Sequence, residues 1–161
     1  MPTAQDIDHP NVVMMPPLLL LIALVVAVAL EFTGTLHYLP PASWTDWPFY
    51  VGIILVLIAI ALGGWALRTF RAVGTNPSPH QPSLSLALTG PYQFTRNPMY
   101  VGFVLLLAGL SLIFSLDWGL ILVPVLALVL HYGVVAREET YLTAKFGQPY
   151  RDFLLRTRRW L

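Results

Sequence analysis

The sequence predicts an all-α polytopic membrane protein of about four transmembrane helices. The last two helices form a tight hairpin, and a helical extension continues from it at the cytoplasmic face. Three observations predict this. Of 161 residues, 57% are hydrophobic and only 11% charged, whereas soluble domains carry about 25% charged residues. Four long uncharged stretches lack the polar face that a helix on the surface of a soluble domain shows. All nine Lys and Arg residues fall in just two segments of the chain.

The first apolar stretch is Leu18 to Leu30, with room to extend back through Pro16 and Pro17 or forward past Glu31 to Leu36. The second is Phe49 to Leu67, the third Met99 to Leu116 and the fourth Trp118 to Ala136, each of 18 or 19 residues. At ~1.5 Å per residue these last three reach roughly 27–29 Å, close to the ~30 Å hydrocarbon thickness of a bilayer. The leading segment carries Asp6 and Asp8 but no Lys or Arg, so it lacks the basic region of a cleavable signal peptide. The chain reads as a single membrane domain, 1–161. Residues 1–67 supply the first two helices, and 68–161 supply a loop, the hairpin and a tail.

The cations set the orientation. Arg68, Arg71 and Arg96 lie between the second and third stretches; Arg137, Lys145, Arg151, Arg156, Arg158 and Arg159 lie in the tail. The 31–48 loop holds acids and no base, and the turn at Asp117 an acid only. The positive-inside rule puts both basic segments, and with four spans both termini, in the cytoplasm. Trp44, Trp47 and Trp118 mark the opposite interface, where Glu31 and His37 are also placed.

The link Ser115 to Trp118 is short enough to force an antiparallel hairpin. Pro124 is expected to kink the fourth helix, while Gly102 and Gly109, seven apart, allow a close neighbour on the third. Helix-forming residues run on past Ala136 to Phe146, where Gly147 and Pro149 read as a stop. Tyr150, Phe153 and Leu154 then mark a short amphipathic piece at the surface.

Net charge is only +1, which gives no reason to expect nucleic acid as a partner. The absence of cysteine excludes disulfides, a thiolate nucleophile and thiolate-ligated metal. The four histidines, His9, His37, His80 and His131, are scattered, so no metal site emerges. Two clusters remain. The loop from Gly74 to Asn97 is Pro-rich at first (Pro77, Pro79, Pro82) and ends on Arg96-Asn97-Pro98, a good helix start with Asn97 as N-cap. Arg96 and the free N–H groups there suit an anion; equally, Asn97 caps the helix and Arg96 faces headgroups. In the second cluster, His131 sits within an apolar stretch, seven residues before Glu138 and so on the same helix face, with Arg137 and Glu139 beside it. This group reads either as a ligand site or as charges paired with Arg68, Arg71 or Lys145.

The string Gly90-Pro91-Tyr92-Gln93-Phe94-Thr95-Arg96-Asn97-Pro98-Met99-Tyr100-Val101-Gly102 resembles the G-P-Y-x-x-x-R-[HN]-P-x-Y-x-G signature of the isoprenylcysteine carboxyl methyltransferase family. Arg137-Glu138-Glu139, Leu142, Phe146-Gly147 and Tyr150 resemble its second block, R-E-E-x-x-L-x-x-x-F-G-x-x-Y. The resemblance runs from about Arg68 to the C-terminus. It implies an S-adenosylmethionine-dependent methyltransferase whose cofactor lies between the loop, the hairpin and the tail. Carried over by position, it implies a cofactor site of Leu88, Gly90, Tyr92, Asn97, Tyr100, His131, Glu138 and Glu139, with Arg96 and Glu138 as catalytic residues. Asn97 stands where the family commonly has His, which removes a titratable group. The expected partners are the lipid bilayer and a lipophilic or small acceptor, a carboxylate of isoprenylcysteine type among them. A membrane reductase of related fold using a nicotinamide cofactor, and a non-enzymatic membrane subunit, are the alternatives.

Overall fold

The computed structural model describes residues 9–34, 36–76 and 81–161. Asp6, Asp8, Pro77, Pro79 and His80 lie outside the described residues. Among those described the fold is all-helical, with one isolated parallel bridge between Thr95 and Arg158 and no strand.

Helix α1 (Pro16–Glu31) opens on a Pro pair, which is tolerated where the first N–H groups have no helical partner anyway. It closes at Glu31, short of Leu36, where Thr33 N–H returns to the Leu30 carbonyl and Gly34 takes φ +62°. Helix α2 (Trp47–Ala72) is longer than the apolar stretch that predicted it. Helix α3 (Pro98–Ile113) ends before Leu116, because Ser115 turns left-handed (φ 53°) and donates its hydroxyl to the Pro40 carbonyl. Helix α4 (Asp117–Leu130) runs through Pro124 into a π-helical turn at His131–Val135 and on into α5 (Ala136–Phe146). Gly147, at φ +61°, ends α5 and starts α6 (Gln148–Arg156).

Among the described residues two helices are long and apolar enough to cross a membrane, Trp47–Ala72 and the continuous Asp117–Phe146; Pro16–Glu31 and Pro98–Ile113 are shorter apolar helices. The outer faces of α1 and α2, among them Leu21, Val25, Leu57 and Ile60, are apolar and exposed. The Gly pair foreseen on α3 does meet a close neighbour. A Cβ on Gly109 would lie 2.8 Å from the Gly52 carbonyl, and one on Gly102 3.3 Å from that of Ala59. This register makes α2 and α3 antiparallel with their backbones nearly touching. Leu20, Leu107, Leu126, Leu130, Val134 and Val135 fill the core between α1, α3 and α4.

At the far end of the hairpin Asp117 is buried, its carboxylate accepting from Tyr38 N–H and Leu39 N–H at 2.9 Å each. The acid that marked a turn therefore pins the preceding loop. Trp44 and Trp47 stand exposed near that end.

Candidate functional site

A pocket opens where the C-terminal end of α2, the N-terminal end of α3, α5 and α6 meet. Segment 82–88 is held beside it by bonds to the end of α2, the turn after it and α5. Leu84 N–H donates to Thr75 Oγ1 at 3.0 Å, Ser85 Oγ to the Val73 carbonyl at 2.5 Å, and Ser83 N–H to Tyr141 Oη at 3.3 Å. Gly90 then takes φ +62°, and a Cβ there would press on Thr69 Oγ1 and Trp65 Nε1, so the turn requires glycine. That turn delivers Tyr92, whose ring packs on Phe70 with centroids 5.2 Å apart.

The first motif block supplies Arg96, Asn97 and Tyr100, and the second supplies Glu138 and Glu139; all five line the pocket together with Leu88 and Tyr92. Tyr100 Oη donates to Glu138 Oε1 at 2.6 Å. Glu139 pairs with Arg159, which donates from Nε at 3.1 Å and from Nη2 at 2.5 Å, and lies 3.4 Å from Arg96 Nη1. Its cationic partners are thus Arg159 and Arg96, where the sequence offered Arg68, Arg71 or Lys145. Burial and the nearby Glu138 carboxylate push the Tyr92 phenol far above its ordinary range, and burial does the same for Tyr150. Both phenols are therefore neutral hydrogen-bonding groups at physiological pH. The hydrogen bonds to Glu139 raise the Arg159 guanidinium further.

The structure corrects one sequence expectation, the side-chain cap of Asn97, and places two further predicted residues, Gly90 and His131, outside the lining of the pocket. Asn97 makes no side-chain cap; its Nδ2 donates to the Arg159 carbonyl at 2.8 Å, and its own N–H donates to Thr95 Oγ1. Its carbonyl starts the helix by accepting from Tyr100 and Val101 N–H. Gly90 shapes the pocket without lining it. His131 does not reach the pocket either. The π-helical turn at His131–Val135 holds one residue more than an α turn, which rotates α5 by about 100° relative to α4. Glu138 therefore faces Tyr100, while His131 faces the C-terminal tail. Trp160 Nε1 lies 3.0 Å from its Nδ1 and Arg159 Nη1 lies 3.2 Å from its Nε2. A neutral imidazole has one acceptor nitrogen, so only one of these two approaches is a hydrogen bond. The same π turn presents the Gly133 carbonyl to Val13 N–H at 3.1 Å, docking the N-terminal segment whose Pro10 lines the pocket.

Phe153, read from the sequence only as part of a surface amphipathic piece, and Phe70, Thr75, Ser83 and Ser85, not singled out there, also line the pocket. They belong to no motif block and are gathered only by folding. Tyr150 was legible, since it closes the second block. Glu31 and His37 line neither this pocket nor the cleft beside it.

That neighbouring cleft, of about 440 Å³, is apolar. It lies between the start of α1 (Met15, Pro16), α2 (Ala59, Ile60, Gly63, Leu67) and α3 (Gly102, Phe103, Leu106), and shares Met99 and Tyr100 with the polar pocket.

With this geometry in view, residues 47–149 match the family model for phospholipid methyltransferases. The chain belongs to the phospholipid methyltransferase family. That family includes isoprenylcysteine carboxyl methyltransferase-like proteins, in keeping with both motif blocks. An uncharacterized protein of Haemophilus influenzae is 38% identical over 63 residues, 39% of this chain and 100% of that one. No solved structure matches the chain. Phospholipid methyltransferase membership, with two helices able to cross a bilayer, makes this a membrane methyltransferase, and the reductase and subunit alternatives are not favoured.

Proposed function

We propose that the protein transfers a methyl group from S-adenosylmethionine to a lipophilic acceptor whose reactive group meets the polar pocket at the membrane surface. The observation that carries this reading is the shared wall. Met99 and Tyr100 separate a polar, charge-lined pocket from an apolar cleft. At about 440 Å³ the cleft falls within the ~300–1,000 Å³ usual for ligand sites. A hydrocarbon chain lying there would end beside Tyr100.

The residues of the pocket fit the cofactor. Glu138 and Glu139 suit ribose hydroxyls or an ammonium group. Arg96 Nε, buried and without a partner among the described residues, suits a carboxylate. Leu86, Leu88, Tyr92 and Phe153 offer an apolar wall for a heterocycle. When bound, the sulfonium supplies an activated methyl group, so no nucleophilic side chain is required. What this chain contributes is position and charge. Tyr100 fixes the orientation of Glu138, Arg96 orients an anionic group, and the 82–88 segment limits access of water. An acceptor carboxylate of isoprenylcysteine type would also suit Arg96.

In this reading all four apolar helices cross the bilayer. The 16-residue α1 and α3 reach only ~24 Å and take up the mismatch by local thinning of the bilayer. The positive-inside rule places the pocket and both termini in the cytoplasm. The test is calorimetric titration of the detergent-purified protein with S-adenosylmethionine, followed by transfer of labelled methyl into lipid and small-molecule extracts. Absence of binding by folded protein would refute the cofactor, and label found only in water-soluble products would refute the lipophilic acceptor.

A further inference from the structure

The chain ends in a strap that lies outside the second motif block. Thr95 pairs with Arg158, Arg96 N–H donates to the Arg158 carbonyl at 2.9 Å, and Asn97 Nδ2 donates to that of Arg159 at 2.8 Å. These bonds to the tail backbone hold residues 157–160 under the loop that carries Arg96. They also present the Arg159 side chain to Glu139.

The charges on this side of the pocket do not balance. Glu139 is one carboxylate between two guanidiniums, and its partition between them is unequal. Arg159 makes the two-pronged contact, to Oε1 at 3.1 Å and Oε2 at 2.5 Å. Arg96 reaches Oε1 only at 3.4 Å through Nη1, while its Nε is buried and has no partner among the described residues. The Arg96 side chain is 12% exposed and lines the pocket. A largely buried guanidinium without a full partner is costly unless a ligand anion completes it. Across the pocket, Glu138 is held by Tyr100 and does not compete for Arg96.

We propose that Arg159 is a positioning residue: by occupying both oxygens of Glu139 it leaves Arg96 a single longer contact to that carboxylate, and so able to receive a carboxylate in the pocket. This rests on the methyltransferase reading and deepens it, since it gives the pocket a carboxylate end and an end lined by Glu138. The carboxylate is either that of the methionine part of the cofactor or that of an acidic acceptor.

Without Arg159, Glu139 would turn to Arg96 and neutralise it. The decisive comparison is therefore wild type, Arg159→Met, Glu139→Gln and the double variant. Each is titrated calorimetrically with S-adenosylmethionine and with its decarboxylated analogue, and thermal unfolding checks the fold. Arg159→Met is expected to weaken S-adenosylmethionine at least tenfold and to leave the decarboxylated analogue within about twofold. Adding Glu139→Gln is expected to restore affinity to that of Glu139→Gln alone, because the competitor for Arg96 is gone. A merely structural role would weaken both ligands alike and show no restoration, and either result overturns the proposal. If S-adenosylmethionine binding is unmoved while the KM of a carboxylate acceptor rises selectively, the carboxylate is the acceptor's; if neither moves, the proposal fails. Should Arg159→Met not fold, Arg159→Lys keeps the charge without the fork and must show a smaller loss with the same carboxylate selectivity. Failure of the wild type to bind S-adenosylmethionine would be seen before any variant and would overturn the functional reading itself, and this proposal with it.

Discussion

Tyr100, on the first turn of α3, donates its phenolic hydrogen to Glu138, just beyond the π turn that ends at Val135, at 2.6 Å. This bond joins the two motif blocks into one pocket and fixes which way the Glu138 carboxylate points. Tyr100→Phe keeps the ring and removes the donor. An intramolecular hydrogen bond contributes about 0.5–1.5 kcal/mol, so affinity for S-adenosylmethionine should fall severalfold, up to about tenfold. Glu138→Ala should cost more, and the two substitutions together should be less than additive in a calorimetric double-mutant cycle.

The α2–α3 seam predicts a stability effect without a binding effect. Gly109 faces the Gly52 carbonyl and the Val56 side chain with no room for a Cβ. Gly109→Ala should destabilise the protein by about 1–3 kcal/mol through overpacking, read as a lower Tm in detergent. The pocket lies at the other end of α3, so cofactor affinity of the folded fraction should be unchanged.

Asp117→Ala removes the acceptor of two backbone N–H groups at Tyr38 and Leu39. Unpaired donors of this kind cost about 1–3 kcal/mol. The 36–46 loop should become sensitive to protease, and Asp117→Asn, which keeps one acceptor oxygen, should be affected less. Neither variant should alter methyl transfer at temperatures where the protein is folded.

The apolar cleft predicts a change of substrate range. Gly63 lines it, and a Cβ there meets nothing within 4 Å. Gly63→Leu should therefore leave the fold intact and fill the cleft. Methylation of long-chain acceptors should fall, that of short-chain acceptors should persist, and S-adenosylmethionine affinity should stay constant. Equal loss for both acceptor classes would argue that the chain lies elsewhere.

By itself the sequence determined the helical membrane character, because apolar length and the placement of cations are properties of the chain read in order. It also determined the two blocks from which Tyr92, Arg96, Tyr100, Glu138 and Glu139 come, since those residues stand at fixed spacing in 90–102 and 137–150. The tertiary structure alone decided how they meet. Seven-residue spacing put His131 with Glu138, but one π turn redirected them, because hydrogen-bond register within a helix is not written in hydropathy. Asn97 stood in the sequence as a cap, yet its side chain bonds the Arg159 carbonyl, 62 residues away. Arg159 stood in the sequence as one of several tail cations at a lipid surface. It reaches Glu139 only because the Thr95–Arg158 pairing folds the tail back under the loop, a long-range contact that no local pattern encodes.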